Sequence, residues 1–382
     1  MQTDNKIPTI SILLPMFSET NKAPQILSHI NNLYYPEEAL KIYFIIEQDD
    51  LGTLESVMPY YNGTSTFIIK VPYSMPRTKP KAMNIAMPFI YSDIIGIYDA
   101  EDQPEPYQLM KVAQAMRDNP QISAVHAKLA VYNSSESWIS KCFTIEYATW
   151  FSFILPAMIK LNFPVPLGGS SVFIRREILM QIGLWDAYNV TEDADLGVRL
   201  YRNNKKWNFI ESVTLEEAPI STIAWIKQRS RWQKGYIVTW WTHTHTIKES
   251  IRDMGITGFI LLQVTFLLPI ISYVAKISLW GILINISITQ ETNISDLSIA
   301  IFIWIPIFLV ISIITVFRNN MLHLSSALLL MPVYWLLSTI SAFIAIVSMV
   351  INPSYWSKTQ HGVSEMIHNK QSQIHTSSNP KV

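Results

Sequence analysis

The chain has 382 residues, with 29 basic and 29 acidic side chains and a pI near 7.1. This balance argues against nucleic acid as a partner, because it leaves no strongly basic surface. The single cysteine, Cys142, excludes an internal disulfide and fits a reducing compartment. Charged residues make up 15% of the chain, and only four lie between residues 256 and 351, which predicts a membrane-embedded C-terminal part.

The N-terminal part alternates between strand and helix patterns. Four apolar runs predict buried strands: "TISILLPMF", "KIYFIIEQDD", "STFIIKV" and "DIIGIYDAED". Helical patterns occupy residues 23–33, "KPKAMNIAMPFI" and "PYQLMKVAQAMRD". This alternation predicts an α/β fold with a doubly wound, mostly parallel sheet. Ligands of such sheets bind outside the carboxyl ends of the strands, where the acids at 47–50 and 99–102 are expected.

The stretch "YDAEDQPEP", residues 98–106, places Asp99, Glu101 and Asp102 within four residues. Three like charges this close repel one another, so something is expected to offset them. Carboxylate oxygens suit hard cations, and the placement at a strand end favours an Mg²⁺ or Mn²⁺ site. A solvated acidic turn is the alternative.

The middle of the chain holds further elements. "SAVHAKLAVYN" predicts a strand, and "PLGGSSVFIRRE" predicts a glycine turn leading into another. "TIEYATWFSFILPAMIKLNF" is apolar and aromatic, which predicts either a buried helix or one lying on the bilayer. "GLWDAYNVTEDADLGVRLYR" predicts a turn and then a helix whose acidic first turn suits the helix dipole. "AWIKQRSRWQKG" predicts a cationic helix.

Four uncharged runs follow, at residues 256–275, 277–290, 297–317 and 324–357. A helix needs about 20 apolar residues to span the hydrocarbon, and the third and fourth runs meet this length. The first two runs predict either one tilted helix or two short segments. The polar N-terminus predicts no signal peptide, so the soluble part is expected in the cytosol.

Four motifs occur in order: acids after the second strand, "DAED" at 99–102, "TED" at 191–193 and "QRSRW" at 228–232. On these motifs nearly the whole chain resembles the inverting family 2 glycosyltransferases with a GT-A fold, especially the cellulose synthase-like membrane branch. "QRSRW" is the most specific, because it fits the Gln-x-x-Arg-Trp signature. Ser18 and Glu101 depart from the pattern, since the family usually has Asn and a second Asp there.

The resemblance implies four regions in the chain. Residues 1–235 form a cytosolic GT-A (Rossmann-like) catalytic domain, and residues 236–255 form an interfacial helix. Residues 256–351 form three or four transmembrane segments, and residues 352–382 form a tail with a "W-x-K-T-x-H-G" motif. This organisation implies a multi-pass protein of the inner cell membrane, in contact with membrane lipid.

The resemblance also implies ligands for a nucleotide-sugar donor and its metal. Asp99 is the expected first metal ligand, with Glu101 or Asp102 as the second. The other expected donor contacts are acids after the second strand, which would bind uracil, and lysines that would reach the diphosphate: Glu47, Asp49, Asp50, Lys79 and Lys81. A helix cap at Asp50 and solvated lysines are the alternatives.

The general base of the family corresponds to Asp193, which would take the proton of the acceptor hydroxyl. Asp195 is the competing assignment, and Glu192 is expected to orient the site or bind the acceptor. An acidic first helix turn without catalytic role is the structural alternative. One base and one metal imply in-line displacement with inversion.

The remaining motifs concern the acceptor. The signature implies acceptor and diphosphate contacts at Gln228, Arg229, Arg231 and Trp232, and a cationic-aromatic belt at the membrane surface is the alternative. Gly168 and Gly169 are expected to allow close approach of the backbone to the acceptor. The tail motif implies a loop that closes over the donor, with Trp356, Lys358, Thr359 and His361.

We therefore expect transfer of a sugar from a UDP-linked donor to a growing β-linked polysaccharide or glycan. Two alternatives are single transfer to a lipid-linked acceptor and a non-catalytic membrane subunit that binds a nucleotide sugar. The small number of apolar helices implies a homo-oligomer or a secretion partner for a polysaccharide product.

Overall fold

The computed structural model describes residues 7–20, 22–276 and 296–351. The strands of this part form one eight-stranded mixed sheet with the order β3-β2-β1-β4-β7-β6-β8-β5. Their bounds are β1 (Ile10–Met16), β2 (Leu40–Glu47), β3 (Thr66–Val71), β4 (Ile94–Ile97), β5 (Gln103–Pro104), β6 (Ile122–Val131), β7 (Val172–Arg175) and β8 (Lys206–Glu216). The pairs β1–β2, β1–β4, β2–β3 and β6–β8 are parallel, and the others are antiparallel.

The four predicted N-terminal strands are confirmed, and they form the parallel half of the sheet. Ile10, Ile12 and Leu13 of β1 are fully buried, because helices cover both faces of a parallel sheet and leave no polar face. The parallel register places the ends of β1, β2 and β4 at one edge. Each acidic cluster follows one of these ends, as the α/β pattern predicts.

Strand β8 was not predicted from the sequence. Its residues alternate between buried and exposed positions from Ile210 to Thr214, which is the period-2 pattern of a half-buried strand. It pairs in parallel with β6 and ends at Glu216, with Val131 as the register partner. The sheet therefore brings a further acid, Glu216, to the same edge as the predicted clusters.

Thirteen helices of the described residues surround the sheet and extend beyond it. Their bounds are α1 (Ala23–Asn31), α2 (Leu51–Val57), α3 (Lys79–Ala86), α4 (Gln108–Asp118), α5 (Trp138–Thr149), α6 (Leu155–Lys160), α7 (Arg176–Gln181), α8 (Glu192–Arg202), α9 (Thr222–Thr244), α10 (Ile247–Leu262), α11 (Leu268–Ala275), α12 (Asp296–Arg318) and α13 (Met331–Ile351). A π-helical turn joins α5 to α6, another joins α10 to α11, and a 3-10 segment, Leu322–Leu330, precedes α13.

Among the described residues, three helical segments are long and apolar enough to cross a membrane by length and composition: Trp138–Lys160, Ile247–Ala275 and Leu322–Ile351. The first is the aromatic segment for which the sequence left a buried helix and a bilayer-surface helix open. A shorter apolar helix, Ile305–Arg318, lies beside them. Helix α9 runs without interruption through residue 235, so the predicted boundary between catalytic domain and interfacial helix falls inside a helix.

The apolar helices pack against the α/β part through hydrophobic clusters, one of which involves α9. That cluster combines residues of α5, α9 and α13, with Phe143, Trp225 and Tyr334 each 1% exposed or less. The indole of Trp225 donates a hydrogen bond of 2.8 Å to the hydroxyl of Tyr334, which satisfies both buried polar groups. Helix α9 is thus fixed between the catalytic part and α13.

Replacing Gly197 in α8 with alanine tests the packing behind the predicted catalytic motif. An added Cβ at this position would lie 2.3 Å from the carbonyl oxygen of Val165, so either α8 or the backbone at Val165 must shift. Overpacking of this kind costs roughly 1–3 kcal/mol, and we expect a lower midpoint of thermal unfolding in detergent. Gly183→Ala is the control, because its Cβ would meet nothing within 4 Å and only its φ of +88° is unfavourable. Equal loss in both variants would contradict the packing argument.

Candidate active site

One cavity of about 840 Å³ opens at the carboxyl edge of the sheet and continues between α5, α9, α11 and α13. Its sheet end is lined by acids and by cations: Asp99, Glu101, Glu192, Asp193, Glu216, Lys79 and Arg231. Its far end is lined mainly by apolar and aromatic side chains of the apolar helices, including Leu268, Ile270, Phe308 and Trp335. The cavity therefore joins a charged region to a membrane-like one.

Lys79 lies at the centre of the charged end. Thr78 caps α3 by accepting a hydrogen bond from the backbone of Lys81, so the helix begins at Lys79. The Lys79 ammonium lies 2.5 Å from Oδ1 of Asp99 and donates a 2.7 Å hydrogen bond to the carbonyl of Gly169. Burial would lower the pKa of Lys79, but Asp99, Glu192 and Asp193 together raise it above its usual value. The lysine therefore stays charged and offsets part of the acidic cluster.

Asp99 and Glu101 face the cavity, whereas Asp102 does not line it. Oδ2 of Asp102 accepts hydrogen bonds from the Asp99 backbone, at 2.8 Å, and from the Ser170 hydroxyl. Burial, followed by the charge of Asp99, holds the pKa of Asp102 well above its usual value. Of the three predicted metal ligands, the structure thus presents two to the cavity and uses the third to hold the turn.

Asp193 lies at the start of α8 and faces Lys79 across the Gly169 backbone. A Cβ added to Gly169 would lie 3.3 Å from Oδ2 of Asp193 and 3.9 Å from the Lys79 nitrogen, so the glycine allows this close arrangement. Oδ1 of Asp193 accepts a 2.8 Å hydrogen bond from the Ala194 backbone. Burial raises the pKa of Asp193, which makes the carboxylate more basic than in water.

Glu192 and Asp195 have different surroundings from Asp193. Burial, with the charge of Asp193, raises the pKa of Glu192 to about 7, although Lys79 opposes the shift. Asp195 bonds to Arg199 at 2.7 Å and to His243 at 2.8 Å. Burial alone would raise the pKa of Asp195, but these partners lower it below its usual value. Asp195 therefore connects α8 to α9 and does not line the cavity, which leaves Asp193 as the better candidate for a base.

Glu216 is a site residue that the sequence reasoning missed. It ends β8 and lines the cavity beside the predicted acids. Burial and the charges of Glu101 and Asp99 raise its pKa to about 8, against hydrogen bonding from Tyr147 and the charge of Lys79. The same signal used for the other acids, a carboxylate at the end of an alternating strand, identifies it once "KWNFIESVTLEE" is recognised as a strand.

The signature "QRSRW" lies on the second and third turns of α9, and its two arginines have different partners. Arg231 lines the charged end, where Glu192, Asp193, Asp99 and Glu101 act on it electrostatically. Arg229 instead donates to Glu146 and stacks over aromatic rings, with its guanidinium carbon 4.8 Å from the Trp232 ring centre. Trp232 stacks on Tyr147 at 6.5 Å, and Gln228 also lines the cavity.

The acids after β2 are already used within the protein. Both oxygens of Asp49 accept from Arg77, at 2.8 and 3.0 Å. Asp50 caps α2 through Thr53 and accepts a 2.6 Å hydrogen bond from the Ser18 backbone, which is the capping alternative left open by the sequence. These internal hydrogen bonds use part of the acceptor capacity of both carboxylates, and a nucleobase contact by either one stays a prediction.

Glu47 and Lys81 form a buried ion pair at 2.8 Å, and each is less than 8% exposed. The two predicted lysines have different surroundings. Lys79 contacts Asp99 at the charged end, whereas Lys81 is held by Glu47 and by the carbonyl of Ser74. The predicted tail residues Lys358, Thr359 and His361 lie outside the described residues.

A tight contact positions the start of α8 against α9. A Cβ added to Gly235 would lie 2.2 Å from Oγ1 of Thr191, and Asn189 donates a 2.8 Å hydrogen bond to Thr239. The backbone of Thr191 in turn donates to the Asn189 side chain at 3.0 Å. The helix that carries the arginines therefore also sets the place of Glu192 and Asp193.

Comparison with solved structures gives the class of the fold. The mannosyltransferase PcManGT from Pyrobaculum calidifontis, solved in complex with GDP-Man and Mn²⁺, is similar with a TM-score of 0.56 at 14% identity, over 91% of this chain and 88% of that one. The α/β sheet and the apolar helices after it are thus those of a GT-A-like glycosyltransferase fold.

The sequence comparison identifies the family. A model described as Glycosyl transferase family group 2 matches residues 94–357, and the chain belongs to this family. It is 26% identical over 238 residues to "Probable glycosyltransferase YdaM" of Bacillus subtilis (strain 168), which covers 61% of this chain and 57% of that protein. It is 25% identical over 243 residues to the beta-monoglucosyldiacylglycerol synthase of Trichormus variabilis, which covers 61% and 50%. The chain spans about half the length of these relatives.

Gly235→Ala tests whether α9 positions the base. The added methyl group would collide with Thr191 and displace Glu192 and Asp193, so we expect turnover to fall about tenfold or more, as overpacking by 1–3 kcal/mol would give. Nucleotide release in detergent measures it. Because all three close atoms belong to the Thr191 side chain, the double variant Gly235→Ala/Thr191→Gly should recover part of the activity. Failure of Gly235→Ala to change turnover would contradict the positioning role.

Proposed function

We propose that this protein is a membrane-bound inverting glycosyltransferase that transfers a sugar from a nucleotide diphosphate to a hydroxyl group of a membrane-associated acceptor. The observation that carries the proposal is the shared cavity, in which Asp193, Asp99, Lys79 and Arg231 lie at one end and apolar helices line the other. The charged end suits a diphosphate, and the apolar end suits an acceptor that resides in the membrane. The inner cell membrane, with the catalytic part in the cytosol, remains the predicted location.

The residues at the charged end fit a divalent cation. Asp99 and Glu101 both face the cavity, and the side chain of Asp99 is 37% exposed. Within the described ranges, no three Asp, Glu, His or Cys side chains are grouped to hold a metal alone. Mg²⁺ commonly takes one or two carboxylates and completes its shell with water and substrate phosphates, so two are sufficient. Bound there, Mg²⁺ or Mn²⁺ would neutralise charge on the departing diphosphate.

The residues of the chain supply the other steps. Lys79 and Arg231 are the cations placed to bind the diphosphate, and Lys79 would exchange Asp99 for phosphate oxygens when the donor binds. Asp193 would take the proton of the acceptor hydroxyl while the oxygen of that hydroxyl attacks the anomeric carbon from the face opposite the diphosphate. This geometry inverts the anomeric configuration. A nucleotide-sugar donor is supported by the complex of PcManGT with GDP-Man, although that likeness concerns the fold.

For the acceptor we propose a lipid-linked molecule. The far end of the cavity is apolar. Relatives that this chain matches over about half of their own length are named beta-monoglucosyldiacylglycerol synthases. A growing polysaccharide is the second candidate, and the stacking of Trp232 on Tyr147 beside the cavity favours it, because sugar rings bind to aromatic faces. Under that second candidate, an oligomer or a secretion partner remains the prediction.

Asp193→Asn tests the base. The amide is nearly isosteric but cannot take a proton, so turnover should fall by roughly 10²–10⁴-fold, the usual contribution of a positioned base. Donor binding should persist. Asp195→Asn is the matched control in the same helix turn, and its expected effect is a lower unfolding temperature, because it weakens the bonds to Arg199 and His243. If Asp193→Asn kept full turnover while folded Asp195→Asn lost it, the base would be Asp195 and not Asp193.

Asp99→Asn tests the metal site through binding alone. We expect UDP or GDP to bind the wild type in MnCl₂ and to lose affinity when EDTA is added, as measured by isothermal titration calorimetry. The variant should lose about tenfold or more in Mn²⁺-dependent affinity, since one of two charged ligands is removed. Asp49→Asn is the control, because Arg77 already occupies both oxygens of Asp49. Equal affinity of wild type and Asp99→Asn in Mn²⁺ would rule out Asp99 as a ligand.

A further inference from the structure

A small group of polar side chains lies at the apolar end of the cavity, outside the motifs of the family. Gln233 comes from α9, Lys276 follows α11 and Ser338 comes from α13; all three line the cavity. They are 4%, 3% and 6% exposed. The cavity wall around them includes Leu268, Ile270, Met331 and Trp335. Buried polar groups in such surroundings are costly unless they have hydrogen-bond partners.

Ser338 brings the other two together. The side-chain amide of Gln233 donates a 3.3 Å hydrogen bond to the backbone carbonyl of Ser338. The Lys276 ammonium lies 3.5 Å from the Ser338 hydroxyl and 4.8 Å from the centre of the Tyr273 ring. Because the Gln233 nitrogen is committed to a carbonyl, the orientation of its amide is set, and Oε1 is the acceptor end of the side chain.

Oε1 of Gln233 has no hydrogen-bond donor among the described residues, although the atom is buried. Leaving a buried acceptor unsatisfied costs about 1–3 kcal/mol, and a bound group that donates a hydrogen bond would recover this energy. A hydroxyl group meets both requirements of the site, since it can donate to Gln233 and accept from Lys276. A phosphate would supply acceptors for Lys276 but no donor for Gln233, and Glu146, which acts electrostatically on Lys276, would repel it.

We propose that Gln233, Lys276 and Ser338 form a headgroup subsite that binds a second hydroxyl of the acceptor, so that the acceptor is a neutral lipid with a hydroxyl-rich, glycosyl-type headgroup. This inference rests on the proposed function for the reacting hydroxyl, which lies near Asp193. A lipid with one hydroxyl, such as a diacylglycerol, has none left for the subsite.

The test compares two lipids that differ in the headgroup alone. Full-length protein in phosphatidylcholine nanodiscs is given tritiated dioleoylglycerol or tritiated monoglucosyl-dioleoylglycerol, and binding is measured by scintillation proximity. We expect the wild type to bind the glucosyl lipid at least tenfold more tightly. Gln233→Leu, which keeps the size and removes the acceptor atom, should abolish the difference, and Gln233→Glu, which keeps an acceptor, should retain part of it.

Ser312→Ala is the matched control, because Ser312 lines the same cavity but donates its hydrogen bond of 2.8 Å to the backbone of Phe308. It should keep the full preference. Equal binding of the two lipids, or a preference that persists in folded Gln233→Leu, would overturn the subsite. Competition by cellotetraose as strong as by the glucosyl lipid would overturn the assignment to a lipid.

Nucleotide binding separates this inference from the proposed function. The same nanodisc preparation is titrated with UDP and GDP in MnCl₂. Loss of the lipid preference in Gln233→Leu with intact nucleotide binding is the expected result. Absence of nucleotide binding beside an intact lipid preference would count against the glycosyltransferase proposal and leave the headgroup subsite in place.

Discussion

The accumulation of negative charge at one edge of the sheet is the constraint on which the rest of the site depends. Asp99, Glu101, Glu192, Asp193 and Glu216 all line the charged end of one cavity. Two cations, Lys79 and Arg231, face them and do not balance them. Burial, together with the charges of the neighbouring acids, raises the pKa of Glu192 to about 7 and that of Glu216 to about 8. A divalent cation would relieve this repulsion, which gives an electrostatic reason for the proposed metal that is independent of any motif.

Helix α9 connects this charged edge to the apolar helices. One of its faces carries Arg231 toward the acids, and Gly235 gives Thr191 room to pack against it. Arg229 is paired with Glu146 of α5 and contacts the Tyr334 hydroxyl of α13 at 3.4 Å. A shift of the apolar helices would therefore move the arginines and the proposed base together. This coupling explains why a single rigid helix carries both the signature motif and the start of the headgroup subsite.

The two arginines of the signature motif have different surroundings, although they are two residues apart in sequence. Both belong to "QRSRW", yet one lies against the acids and the other lies in an aromatic cage formed by Phe143, Trp225 and Trp232. In the cage, the charge of Arg229 is held by a carboxylate from a different helix. Arg229 is thus suited to holding α9 in place, and Arg231 is suited to binding substrate phosphate. Sequence spacing alone assigns both to the same function.

Much of the fold was predictable because it depends on local pattern. The four N-terminal strands are continuous apolar runs, and acids follow two of them directly, so their position at the sheet edge followed from chain connectivity. Strand β8 was missed because its alternation is interrupted by partly buried residues such as Phe209 and Leu215. Glu216 was missed with it. The internal partners of Asp49, Asp50 and Lys81 could not be predicted from local pattern, because Arg77, Ser18 and Glu47 lie up to 34 residues away in sequence.

The sequence by itself determined the class of fold, the apolar C-terminal helices and the order of the acidic and cationic motifs, because composition and periodicity are local properties. Only the tertiary structure decided which member of each motif meets the cavity. Asp99 faces the cavity and Asp102 does not, Lys79 lies at the site and Lys81 does not, and Asp193 lines the cavity while Asp195 is bound by His243. These choices depend on distant residues that pack within a few ångströms, and no local pattern records such contacts.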